Sequence, residues 1–219
     1  MCANARPGLT RQTLIETALR LLDEVGLEGL TVRRLAAELG VQSPALYWHI
    51  RSKQELLDGM ADAIILAAGM GPPHHGEVWQ DWLARRARAF RQSLLAHRDG
   101  ARIVADAAWL SPATVRAFND ELTAMVDRGF TPVLALRTIT ALSQYVTGFV
   151  LQEQSRPRKR AEQRSDPIAA LSDLLDGDTS APLLAAIRDG GTTTGDDAFE
   201  HGLQVLIDGT IAALTAQAT

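Results

Sequence analysis

The sequence predicts an all-α protein, with a three-helix N-terminal unit built around a helix-turn-helix and a larger helical body behind it. Leucine and alanine recur at spacings of three and four along most of the chain, whereas β-branched runs of alternating polarity, the mark of half-buried strands, are absent. Capping residues, prolines and glycines fall at the ends of those periodic stretches, where the unpaired backbone groups of helix termini need them. A Pro/Gly-rich break from Gly69 to Gly76 then divides the chain unequally, into a head of residues 1–53 with a connecting helix over 53–68, and a body of residues 69–219.

Taken in order, the first helix is expected from Thr10 to about Val25, with Leu14, Ile15, Ala18, Leu21, Leu22 and Val25 on one face and Gly26 as its terminator. Thr31 caps a short second helix that stops at Gly40. A third begins at Ser43-Pro44, where serine can cap and proline is tolerated because its missing N–H would be unpaired anyway. Ser52 and Glu55 have the spacing of a capping box and open a fourth helix through about Ala68. In the body, long helical patterns occupy roughly 77–97, 112–128, 132–154 and 196–216, and Ser111-Pro112 and Thr131-Pro132 repeat the cap-plus-proline start. Shorter helices are expected near 100–108, 167–175 and 181–188. The polar, basic stretch 155–166 is expected to be a surface loop rather than a DNA-contacting arm.

With 219 residues the chain can bury one large core or two smaller ones. Its composition, 46% hydrophobic and 22% charged, is that of an ordinary globular protein, and no uninterrupted apolar run approaches the ~20 residues of a membrane span. The N-terminal residues contain no apolar stretch fit for the core of a signal peptide, so a cytoplasmic protein without membrane partners is expected. Cys2 is the sole cysteine and admits no intramolecular disulfide. Residues 1–53 hold seven Arg/Lys against five Asp/Glu, and the remainder fifteen against twenty-one. A basic head and an acidic body suit a protein whose head alone approaches phosphates, although so modest an asymmetry does not decide function.

The stretch 31–53, TVRRLAAELGVQSPALYWHIRSK, reads as a capped helix, a glycine-containing turn and a short second helix. Leu35, Ala36, Leu39, Val41 and Leu46 form its small core, and Gly40 sits where the turn demands a residue without Cβ. Arg33, Gln42, Ser43, Pro44, Ala45, Tyr47, His49 and Lys53 remain for the outer face, a mixture of guanidinium, amide, apolar and cationic groups that suits a DNA groove and its flanking phosphates. Trp48 is expected inside, holding the short helix to its neighbours.

Leu46-Tyr47-Trp48-His49 followed by Lys53 resembles the signature of the TetR family of repressors. The likeness continues through Trp79, Phe90, Arg98-Asp99-Gly100-Ala101, Gly129-Phe130 and His201-Gly202-Leu203, and so spans most of the chain. The resemblance implies that Arg33 pairs with guanine and that Gln42, Ser43, Pro44, Ala45 and Tyr47 face base edges or thymine methyls. It further implies that Thr31, Tyr47, His49 and Lys53 grip phosphates of double-stranded operator DNA.

A single recognition helix reads only a few base pairs, so two heads are expected about one DNA turn or a multiple of it apart. The last helix supplies two apolar stripes, Phe199, Leu203, Leu206, Ile207 and Leu214 on one side and the small residues Gly202, Val205, Gly209, Ala212 and Ala216 on the other. Helix 132–154 is likewise too apolar to be covered on one side only. By the resemblance, these two helices pair with their symmetry mates as a four-helix bundle in a homodimer.

The remaining helices are expected to enclose a small-molecule effector. Phe90, Val104, Trp109, Leu110, Met125 and Phe149 are candidate walls, and Arg86, Glu121, Gln144 and Gln152 candidate polar contacts. Aromatic and methionine residues at helical spacing are more often plain core, and the sequence leaves both roles open. Where tetracycline-binding members of the family present an asparagine and a magnesium-ligating histidine, the resemblance puts Arg86 and Val104; nearby threonine and arginine positions hold Ala107 and Ala108, and Gln152 replaces a water-coordinating glutamate. A tetracycline–magnesium effector is therefore not expected, and a more apolar organic compound or another antibiotic is. No cofactor or metal site is expected, since His74-His75 lie in the Pro/Gly-rich link without a carboxylate cluster. Enzyme signatures are missing too: there is no Gly-x-Ser-x-Gly elbow, His-Glu-x-x-His pair or phosphate-binding glycine loop.

Overall fold

The computed structural model describes residues 9–155, 174, 181–189, 191 and 193–217. Among these residues there is no strand. The helix expected over 167–175 lies outside the described residues apart from Leu174, and the basic stretch after Ser155 lies outside them entirely.

Three short elements make the head. Helix α1 (Arg11–Gly29) starts at Thr10, whose side chain accepts the Thr13 N–H. Gly26 (φ 71°, ψ 173°) interrupts it as expected, but one further turn follows before Leu30 ends the element. Thr31 caps α2 (Val32–Leu39), and Gly40 closes it in the left-handed region at φ 68°. Helix α3 (Ser43–Leu46) differs from expectation: Gln42 is its N-cap, with no side-chain hydrogen bond, and Ser43 is already helical. Pro44 near the helix start costs no backbone hydrogen bond and presets φ, which is enough to launch so short an element.

Helix α4 (Lys53–Ala67) leads out of the head. Ser52 accepts the Glu55 N–H at 3.1 Å, but the Glu55 carboxylate reaches the N–H of Arg51 at 2.7 Å rather than that of Ser52, so the capping box closes one residue early. The body consists of α5 (Trp79–Leu95), α6 (Gly100–Ala105), α7 (Pro112–Val126), α8 (Pro132–Ser155), α9 (Pro182–Arg188) and α10 (Asp196–Gln217). Helices α5, α6, α7 and α10 all pack on α8, whose inner face is Ala135, Ile139, Leu142, Val146 and Val150.

Head and body share one connected core instead of two. Buried side chains run without a gap from Leu14 and Leu35 in the head, through Met60 and Ile64 on α4, to Phe90, Ile139 and Ile207 in the body. Polar contacts reinforce the seam. Asp99, itself in the left-handed region at φ 57°, accepts the Leu27 N–H at 2.8 Å, and Asp23 accepts the Arg98 N–H at 2.9 Å.

Candidate DNA-binding surface and effector cavity

The head places nearly all the residues expected at DNA in contact with solvent. Thr31, Arg33, Gln42, Pro44, Tyr47 and Lys53 are exposed, whereas Ser43, Ala45 and His49 are half-buried. Leu46 and Ile50, at 0% and 1% exposure, anchor α3 from below. The two adjacent arginines differ in role. Arg34 donates to the Gly29 carbonyl at 3.1 Å and so ties α2 to the preceding turn, while Arg33 has no side-chain hydrogen bond or ion pair among the described residues. Arg20 bonds Glu38 at 2.7 Å, fixing α2 on α1. Trp48 contradicts expectation: it is 88% exposed, because the chain leaves α3 after Leu46 and the core places of this turn are taken by Leu46 and Ile50. Beside Tyr47, 52% exposed, it gives the outer surface a second aromatic ring.

In the body, a cavity of about 530 Å3 lies between α4, α5, α6, α7 and α8. That volume falls within the range of drug-sized ligand sites. Five expected residues line it: Arg86, Phe90, Val104, Leu110 and Gln144. Five do not. Trp109 points outward, 76% exposed, from the segment joining α6 to α7; Met125 is fully buried away from the cavity; and Gln152 faces solvent. Phe149 instead packs on Tyr145 and Phe199, with the Arg91 guanidinium over the Phe199 ring at 4.7 Å. Glu121 lies behind the wall, fully buried, where its two oxygens accept from Arg86 Nε at 3.0 and 2.9 Å.

Sequence reasoning missed the apolar wall of Ile65, Ala68, Met70, Phe118 and Leu151, and also Thr140, Ser143 and Thr147. The last three form, with Gln144, a polar row at helical spacing on α8, a signal legible in an otherwise apolar helix.

Burial pushes the Glu121 carboxyl above its ordinary range, against the opposing pull of Arg86. Its Oε1 also accepts the Gly71 N–H at 3.2 Å, and the Gly71 carbonyl accepts from Trp82 Nε1 at 3.0 Å. The Pro/Gly link after α4 is thereby held to the back of the cavity wall.

Two carboxylates of α4 grip the opposite side. Asp58 accepts the Ala108 N–H at 2.9 Å. Asp62 accepts the Ser111 N–H at 2.9 Å and the Thr114 hydroxyl at 2.5 Å. Leu110 and Thr114, both within this gripped segment, line the cavity. No residue lining it is a histidine, aspartate or glutamate, and no group of three or more metal-ligating side chains occurs among the described residues.

Comparison with known proteins gives a consistent result. Residues 14–60 match the family described as bacterial regulatory proteins, tetR family, and residues 72–214 match the tetracyclin repressor-like C-terminal domain. The chain is 39% identical to the class A tetracycline repressor protein from transposon 1721 of Escherichia coli over 203 residues, 92% of this chain and 90% of that one. Apo ActR from Streptomyces coelicolor superposes with a TM-score of 0.82 at 32% identity, covering 97% of this chain and 99% of the other. TetR (class A) in complex with 5a,6-anhydrotetracycline and magnesium gives a TM-score of 0.68 at 33% identity, with 93% and 99% covered. With both parts of the chain matched and relatives above 30% identity along most of its length, the protein belongs to the TetR family of bacterial transcriptional regulators.

Proposed function

We propose that the protein is a ligand-responsive repressor that binds palindromic operator DNA as a homodimer and leaves it when a small molecule fills the cavity. The observation that carries this reading is the grip of Asp58 and Asp62 on the segment from Ala108 to Thr114. A molecule that displaces this wall pulls on α4, and α4 begins at Lys53, directly behind the recognition surface. The ligand then acts by population shift, favouring a body conformation in which the two heads no longer match the operator spacing.

At the DNA, Arg33 is assigned to guanine, since no protein group competes for its donors among the described residues. Gln42, Ser43, Pro44, Ala45 and Tyr47 are assigned to base edges and methyls, and Thr31, Tyr47, His49 and Lys53 to phosphates. Residues 1–53 serve as the DNA-binding unit, the helix over 53–68 as the joint, and 69–219 as the effector and dimerisation unit. Dimerisation is supported by the outer faces of α8 and α10, where Val133, Leu136, Val205 and Ile211 are 40–56% exposed. Helix α8 is long and apolar enough to cross a membrane by composition, but Arg137 interrupts its outer face, and its inner face is already buried in the core. A second copy of the chain accounts for the apolar remainder.

The test is selection of bound sequences from random DNA, followed by gel-shift titration of variants. A palindromic site is expected, with Arg33→Ala losing discrimination at one base pair by about 1–3 kcal/mol, and Lys53→Ala weakening binding to all sequences and flattening its salt dependence. Unchanged operator binding by Arg33→Ala would remove that residue from the interface. Failure to enrich any palindrome, or sedimentation of a 23.7 kDa monomer at micromolar concentration, would overturn the dimeric reading.

A further inference from the structure

Arg86 is the one charged side chain lining the cavity among the described residues. Its counter-ion does not share that exposure, because Glu121 is fully buried behind it and both carboxylate oxygens are spent on Arg86 Nε, one of them also on the Gly71 N–H. The ion pair is thus oriented, with its carboxylate end sealed in protein and the far end of the guanidinium beside Ser143, 3.4 Å from the Ser143 hydroxyl. An occupant of the cavity meets the positive end of that pair. Along α8 it meets neutral donors and acceptors, Thr140, Ser143, Gln144 and Thr147, one helical turn apart; the other walls are apolar apart from Thr114, whose hydroxyl donates to Asp62.

Resting on the effector reading above, we propose that the cavity selects a metal-free acidic amphiphile: a largely apolar molecule bearing one carboxylate or acidic phenol for Arg86 and neutral hydrogen-bonding groups along the edge that faces α8. A guanidinium–carboxylate contact is charge-assisted and about twice as strong as a neutral hydrogen bond, so the acid is favoured over its uncharged counterpart. A cation meets the positive end of the pair and, among the described residues, finds no carboxylate or imidazole on the cavity wall, which disfavours ammonium ligands and metal complexes alike. The row on α8 fixes which edge of the molecule turns inward, because Thr, Ser and Gln side chains both donate and accept and are left unpaired by a hydrocarbon edge.

The experiment is calorimetric titration of the full chain, in chelator, with a dihydroxyanthraquinone carboxylic acid, its uncharged parent and its aminomethyl analogue. The acid is expected to bind at least about tenfold more tightly than the parent, with the amine weakest and added magnesium without effect. Arg86→Met alone leaves Glu121 buried without its partner and so risks misfolding. The double variant Arg86→Met with Glu121→Leu replaces the pair by apolar groups and is expected to bind acid and parent equally. Equal affinities in the parent protein, an acid preference that survives in the double variant, tighter binding with magnesium, or binding of none of the three probes would each overturn the proposal. Operator release measured on the same samples separates the two readings. Arg86-dependent binding of the acid without release sustains the ligand class and refutes the effector role, whereas release without charge preference does the reverse.

Discussion

Removing the Asp62 carboxylate is the sharpest probe of how cavity and head communicate. Its two hydrogen bonds, to the Ser111 N–H at 2.9 Å and the Thr114 hydroxyl at 2.5 Å, hold the start of α7 against α4. Hydrogen bonds to an ionised group contribute about 1.5–3 kcal/mol each. Asp62 is only half-buried, so the lower end applies, and Asp62→Ala is expected to cost about 2–3 kcal/mol in urea denaturation. Thr114, 1% exposed, is one of the two partners, so Asp62→Ala and Thr114→Val together should cost about 1 kcal/mol less than their sum. The functional readout is the ratio of operator affinities with and without the anthraquinone acid. Loss of ~1.4 kcal/mol of coupling lowers that ratio about tenfold, and Asp58→Asn, which weakens the hold on Ala108, is expected to lower it in the same direction. If the stability loss appears but the ratio stays unchanged in both variants, the carboxylates are merely structural and the link between cavity and head runs elsewhere.

Further outcomes follow from individual contacts. A Cβ on Gly202 would strike the Tyr145 hydroxyl and lie 2.7 Å from Cζ of its ring, and that ring cannot yield freely because its hydroxyl donates to the Phe199 carbonyl at 2.8 Å. Gly202→Ala is therefore expected to destabilise by about 2–4 kcal/mol in denaturant titration, with partial rescue in combination with Tyr145→Phe; a change below about 0.5 kcal/mol would refute the close approach. Hydrogen bonds from Arg85, opposed by burial and aided by the His74 N–H, lower the Glu77 pKa to about 2. A depressed folded-state pKa gives stability that is present above pH 4.5 and lost as pH falls toward 2, so the melting-temperature gap between parent and Glu77→Gln should close across that window. For Glu121 the sign is opposite: burial raises its pKa, and its contribution falls as pH rises through the raised value. Glu121→Gln is expected to flatten that decline in thermal melts, and a parallel decline in the variant would refute it.

What the sequence disclosed follows the range of the forces involved. Caps at Thr31 and Ser111, the left-handed turn at Gly40 and the break at Gly26 were legible because each is decided by atoms within about four residues. The same locality explains the error at Trp48: aromatic size argues for burial, but which side of a four-residue helix is covered depends on the elements packed against it, α2 among them, and not on α3 itself. It explains the short-range misreading at Ser43 as well, since serine and proline together suggest a cap without specifying which of them is already helical.

The cavity divides along the same line. Arg86 and Glu121 were both legible as candidate polar contacts, yet nothing local says that they bond to each other across 35 positions, or that only Arg86 reaches the cavity. Their pairing changes the chemistry of the site. Read separately, they offer an occupant one positive and one negative contact; joined, with the carboxylate buried, they form a neutral pair of which only the positive end lines the cavity.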